Sequence, residues 1–281
     1  MQTSFLSIFN KSGIACASSE DHTLYQLSKE EPVVVAVDPN SPIPWESLID
    51  GYKRLGEPKK HSELEGYAKD FEEYISAQIV DISIGKLSDD DVNIIFMGYG
   101  TDDIFPSVCD ISVGMTEEQT LGYLYLDNKR ISSDTISLIA SIGDFETVLT
   151  LIYGTTNDIK NCMVEKLYEI LDAYSERVIE KFKGTKYESA IKARIDEYNA
   201  NMDIWQHFHS AAKKAYNEAS IGIDSFSIED MVNTVETFVD ANVNLNHLRS
   251  GGKEKLSATR ELAVITRYEG LTWIKHGLYT F

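Results

Sequence analysis

Apolar positions follow two rhythms along this chain. In the first forty residues they come in short runs broken by turn formers. Thr3 to Phe9 is rich in β-formers, "NKSG" (Asn10 to Gly13) signals a turn, and Ile14 to Ser18 reads as the return strand of a hairpin. Thr23 to Leu27 and Pro32 to Val37 read as a second pair. Within it "VVVAV" is an unbroken apolar run, which predicts a strand buried on both faces. Pro44 then suits a first helical turn, and Gly56 with Pro58 ends that helix. Ser62-x-x-Glu65 has the form of a capping box. Leu64, Tyr67, Phe71, Tyr74 and Ile75 follow it at helical spacing.

Strands resume at Val92 to Met97, Ser107 to Val113 and Thr120 to Leu126, the last closed by a turn at "DNK". Ile136 to Ile142 fits a fourth strand, though its spacing also admits a helix, and Asp144 to Gly154 reads as a helix. Beyond residue 158 the rhythm changes to steps of three and four. Met163, Leu167, Ile170, Leu171, Tyr174, Val178 and Phe182 form one stripe; Ile191, Ile195, Tyr198, Met202, Trp205 and Phe208 form another. The pattern predicts two long helices, Asp158 to Phe182 and Tyr187 to Ser220, paired antiparallel around "KGTK". A third helix starts at the Ser227-x-x-Asp230 cap and stops before Gly251-Gly252. "RELAVITRYEGLTWIKHGLY" closes the chain as a hairpin turning at "YEG". The long stripes admit two uses. They pack onto the sheets, the default for such a pattern, or they hold another subunit or a partner helix, with Met202, Trp205 and Phe208 as anchors.

Composition narrows the classes. The 281 residues carry 45 acidic and 26 basic side chains, a formal charge of -19. A nucleic-acid surface needs clustered Lys and Arg, so it is excluded, and so is attraction to an anionic membrane. No run approaches the apolar length of a membrane span, and the N-terminus lacks the basic and cleavage regions of a signal peptide. Cys16, Cys109 and Cys162 are odd in number and far apart, which suits reduced thiols in a cytoplasm.

Motifs for metal or cofactor chemistry are missing. Asp89-Asp90-Asp91 lacks the spacing of a calcium loop. His207 and His209 sit two apart on a predicted helix and point about 200° away from each other. Ser250-Gly251-Gly252 follows a helix, whose C-terminus repels anions, so it reads as a cap. His22 has the chemistry of a base without a companion nucleophile, and no His spacing marks Cys162 as a nucleophile. No cofactor and no metal are therefore expected.

The serial order is four strands, two helices, about four strands, a helical block and two final strands. That order resembles the proteasome β-subunit type of N-terminal-nucleophile hydrolase. "IPWES", "FMGYGTDDIFPS" and "AVITRYEGLTWIKHGLY" are also similar to segments of bacterial proteasome-like proteins. The resemblance covers nearly the whole chain as one domain, residues 1–281, with 158–220 as an enlarged helical region. It implies an α+β fold, a four-layer αββα sandwich, and a homo-oligomer. In that family a threonine begins the mature chain. Its hydroxyl attacks the carbonyl and its α-amine is the base, tuned by an aspartate and a lysine. Thr3, with Gly13 ten residues on, matches the nucleophile. Ser19 stands where the aspartate is expected, with Glu20 and Asp21 beside it, and Thr23 stands where the lysine is expected. Met1-Gln2 precede Thr3, and methionine aminopeptidase prefers a small second residue. While those two residues remain, the Thr3 nitrogen is an amide and no base. Two readings follow: a degenerate, non-catalytic homologue that binds a protein or peptide partner or assembles with itself, and a threonine peptidase or amidase working from Thr3 once Met1-Gln2 are removed.

Overall fold

A computed structural model of the chain describes residues 4–28, 31–41, 43–55, 59–79, 92–115, 121–143, 148, 150, 157–201, 204–251 and 259–276. The elements in order are β1 (Phe5–Asn10), β2 (Gly13–Ser18), β3 (Leu24–Gln26), β4 (Val33–Val37), α1 (Trp45–Arg54), α2 (Leu64–Ile79), β5 (Val92–Gly98), β6 (Ser107–Met115), β7 (Leu121–Arg130), β8 (Leu138–Ile142), α3 (Asn157–Phe182), α4 (Glu188–Asn201), α5 (Ile204–Asp224), α6 (Ile228–Arg249), β9 (Glu261–Thr266) and β10 (Gly270–His276). The fold is α+β. The strands form two antiparallel five-stranded sheets, β10-β9-β2-β1-β8 and β3-β4-β5-β6-β7.

The apolar run of β4 explains much of the packing. Successive side chains of a strand point to opposite faces. Val33, Val35 and Val37 join Phe96 with Trp45, Ile49 and Phe71 of α1 and α2 in one apolar cluster. Val34 and Ala36 join Ile95 and Met97 with Phe5, Phe9 and Ile14 of the other sheet in a second cluster. The expectation of a strand buried on both faces therefore holds: all five residues of β4 are buried. α6 covers β1, β2 and β9, burying Met231, Val232, Val235 and Val239. Its start is the expected capping box, with Ser227 Oγ accepting from the Asp230 N–H and Asp230 reaching back to the Ser227 N–H. In the β1–β2 turn, Asn10 donates from Nδ2 to the carbonyls of Ile223 and Phe226, tying the α5–α6 corner to the hairpin.

Contacts divide the chain into two compact units, residues 1–147 with 220–281, and residues 148–219. In the smaller unit α3 and α4 pack together through a turn at 183–187, where Gly184 has φ +74°. Tyr168 of α3 accepts the Ile204 N–H through its hydroxyl, which ties in the start of α5.

Three expectations change. The second long helix is two helices, α4 and α5; Asn199, Asn201 and Asp203 near the break favour caps over helix interiors. β7 runs on through Asp127–Lys129, where a turn was expected, because a bulge at Leu126 lets the strand stay paired with β6. The α3 stripe splits: Met163, Leu167, Ile170 and Tyr174 are exposed, Leu171, Val178 and Phe182 are half-buried, and among the described side chains of that helix Val164, outside the stripe, is the one fully buried. Of the expected 144–154 helix only Val148 and Thr150 are described, both helical, and Met202 lies outside the described residues.

Phe96 is fully buried with its ring edge-on to Phe71, centroids 5.6 Å apart. Phe96→Ala is expected to lower the unfolding free energy by about 3–5 kcal/mol, and Ser227→Ala by about 1 kcal/mol. Urea denaturation of both variants at one pH checks the order.

Candidate functional site

One end of the first sheet gathers polar side chains that the apolar pattern does not announce. β1 begins there, β2 ends there, β9 begins there, and residues 19–23 lead across to β3 in the other sheet. Ser4, Ser18, Ser19, Thr23, Asn242 and Glu261 are all buried at this corner. Buried polar groups must find partners, and these do. The Ser19 N–H donates to the Ser4 carbonyl at 3.0 Å, and Ser19 Oγ accepts the Ser4 N–H at 3.1 Å. Asn242 of α6 donates from Nδ2 to Ser4 Oγ at 2.9 Å. Thr23 donates from Oγ1 to the Glu20 carbonyl at 3.2 Å, so in the 2.8 Å contact between the Ser18 and Thr23 hydroxyls the proton belongs to Ser18.

Glu261 is the anchor of the corner. Its carboxylate accepts three consecutive backbone N–H groups: His22 on Oε1, and Thr23 and Leu24 on Oε2, all at 3.0–3.1 Å. The clasp holds His22 in the left-handed region at φ +61°, the one such non-glycine residue among those described. Burial pushes the Glu261 carboxyl up to about 7, against the three N–H groups that pull it down and with Asp21 adding to the rise. Beside it, Asp21 and Arg260 form a 2.8 Å ion pair, each side chain 31% exposed. The Arg260 N–H donates to the Ser18 carbonyl. Cys16 is buried and donates to the Ala263 carbonyl; burial and the Glu261 charge drive its thiol far up, which rules out a reactive thiolate there.

Of the residues singled out from sequence, Thr3 lies outside the described residues. Ser19 is braced on both sides of Ser4, and Thr23 is tied to Ser18 and Glu20. Neither position carries a carboxylate or an amine, and both hydroxyls hold the loop. Of the two acidic alternatives, Asp21 is paired with Arg260, and Glu20 is held above the usual carboxylate range chiefly by burial. His22 is exposed, with its N–H on Glu261. Glu261, Arg260 and Asn242 were not foreseen. They lie more than 200 residues from the loop they hold, and Glu261 reads in sequence as the polar first residue of a hairpin strand.

Elsewhere, a cleft of about 170 Å³ lies among Glu63, Glu65, Asp103, Asn128 and Arg130. Its charges are already matched: Asp103 pairs with Arg130 and accepts the Gly100 N–H, and Asn128 donates to Glu65. Among the described residues no cluster of His, Cys, Asp and Glu is arranged to hold a metal ion, and no helix is long and apolar enough to cross a membrane.

These observations define the class: an α+β protein of two antiparallel sheets with a buried polar corner at one sheet end. No protein-family model matches the chain, and no curated protein matches it. Among solved structures it is similar to Anbu (ancestral beta-subunit) from Yersinia bercovieri. The identity is 11% and the TM-score 0.40, over 97% of this chain and 86% of that one.

Because Glu261 holds its proton to about pH 7 when folded, against about 4.5 for a glutamate in water, the folded protein binds the extra proton between those values. That part of the stability is complete below about pH 4.5 and is lost as pH rises toward 7, with a slope of at most about 1.4 kcal/mol per pH unit. Urea midpoints between pH 4.5 and 8 are expected to fall more steeply for the natural chain than for Glu261→Gln, which has no proton to lose. Parallel profiles would remove Glu261 as the titrating group.

Proposed function

We propose that the chain is a non-catalytic protein of proteasome β-subunit-like architecture, a single domain over residues 1–281 with a four-layer αββα core. In this reading residues 158–220 are a helical elaboration, and the protein works in the cytoplasm by binding a protein or peptide partner or by assembling with copies of itself. One observation carries the non-catalytic part. At Ser19 and Thr23, where the resemblance calls for an aspartate and a lysine, there are neutral hydroxyls engaged in bracing Ser4 and the 19–23 loop. A threonine nucleophile activated by its own amine needs a tuned electrostatic setting. The ionic groups at this corner include an Asp21–Arg260 pair, Glu20, whose carboxyl burial holds above its ordinary value, and a Glu261 carboxylate engaged by three N–H groups.

The alternative is a threonine peptidase or amidase using Thr3 after loss of Met1-Gln2. What favours it is the placing of Ser4, whose N–H donates to Ser19 Oγ and whose hydroxyl accepts from Asn242 just before β1, beside the residues that the resemblance singles out.

Intact mass and N-terminal sequencing of protein made without an N-terminal tag separate the two. The expected chain begins at Met1 and leaves fluorogenic peptide amides unhydrolysed. A chain beginning at Thr3, with a Thr3→Ala variant that retains Met1-Gln2, would establish self-processing and overturn the non-catalytic reading.

A further inference from the structure

The Glu261 clasp divides its three donors unevenly, and the division suits a carboxyl that carries a proton. Oε2 accepts the Thr23 and Leu24 N–H groups at 3.1 and 3.0 Å, and Oε1 accepts the His22 N–H at 3.0 Å. A carbonyl oxygen offers two lone pairs to donors, and a hydroxyl oxygen keeps acceptor capacity beside its proton. A neutral carboxyl with its proton on Oε1 therefore keeps all three bonds.

The charged form is poorly matched at this place. Glu261 is 1% exposed, and a buried carboxylate needs a cation or full hydrogen bonding to offset its lost hydration. On its own strand, Arg260 is paired with Asp21 at 2.8 Å. From β10, His276 Nδ1 stands 3.8 Å from Oε1, beyond hydrogen-bond reach, on a side chain that is 59% exposed. Lys275 is paired with Glu236 of α6, and Asp240 of α6 accepts from Thr259. In the loop, Asp21 adds a like charge, and Glu20 is held above the usual carboxylate range chiefly by burial. Cys16 of β2 and Tyr25 of β3 are held neutral, again chiefly by burial.

The loop is the part able to yield. It lies on both carboxyl oxygens, so lifting it admits water to the group. It also holds His22 at φ +61°, which a non-glycine residue occupies at a cost. We propose that Glu261 is a proton-operated latch on residues 19–23, closed across the end of the first sheet when protonated and released when ionised. The carboxyl titrates near 7 under the closed loop and near 4.5 in water. The closed form thus binds the proton more tightly; its hold is complete below about pH 4.5 and is lost as pH rises through about 7. Opening frees the Ser19 and Thr23 hydroxyls, which the closed loop spends on Ser4 and Glu20.

The test is amide hydrogen exchange of the full chain at about pH 6 and about pH 8, corrected for the chemical rate. Protection of the His22, Thr23 and Leu24 amides is expected to fall about tenfold between them, the drop for a carboxyl that moves from about 7 closed to about 4.5 open. The β4 amides should stay at least about tenfold better protected throughout, the mark of a local opening. Glu261→Gln, neutral at both pH values, should abolish the fall. His22→Asn with His276→Asn should keep it. Equal protection at both pH values in the natural chain would overturn the proposal. So would a fall that survives Glu261→Gln or vanishes in the histidine variant. Loop amides that track those of β4 would overturn it as well, because the loop would then move only when the whole unit unfolds. If circular dichroism shows that Glu261→Gln does not fold, the natural chain and the histidine variant still decide. The N-terminal mass bears on catalysis alone and leaves the latch untouched.

Discussion

A strand buried on both faces has to find apolar partners twice, and β4 imposes that requirement on the larger unit. Its alternate valines feed two clusters. One is completed by α1 and α2, the other by residues of both sheets. A hairpin alone could satisfy neither face; covering both takes helices from the middle of the sequence and strands from its two ends. β9 enters the first sheet beside β2 nearly 250 residues after it, and this long-range pairing brings Glu261 to the loop it holds.

The polar corner follows from that pairing. Where β1 and β9 begin, β2 ends and the 19–23 loop crosses to β3, backbone groups are taken out of water and need partners from within the protein. Glu261 satisfies three of them on the loop, Ser19 satisfies Ser4, and Asn242 reaches in from α6. The side chains that the sequence singles out here, Ser19 and Thr23, brace this corner. A carboxylate engaged by three N–H groups and a hydroxyl whose proton is given to a carbonyl are held in place.

The smaller unit departs from this economy. α3 and α4 share contacts and Tyr168 ties in the start of α5, yet Ile159, Met163, Ile170 and Tyr174 of α3 are each at least half exposed, among the exposed charges of Lys166, Glu169 and Arg177. Leaving so much apolar area in water opposes folding by about 25 cal/mol per Å² relative to covering it.

Period and punctuation in the sequence determined the local elements. The alternation and turn formers of the first forty residues, the two-faced run of β4, the Ser227 cap and the closing hairpin all appear in the structure with bounds shifted by a residue or two. These features depend on neighbours within a few positions, which is the range over which backbone preference and side-chain spacing act. The length of β7, the break between α4 and α5 and the exposure of the α3 row were decided otherwise. A bulge paired against β6 carried the strand past its turn signal, and a stripe spaced by three and four specifies a face without saying what will lie against it. The corner residues are the clearest case. Glu261, Arg260 and Asn242 have no local mark of their role, because a buried carboxylate or amide acquires its meaning from donors and acceptors brought to it across more than two hundred residues. That information resides in the pairing of the strands.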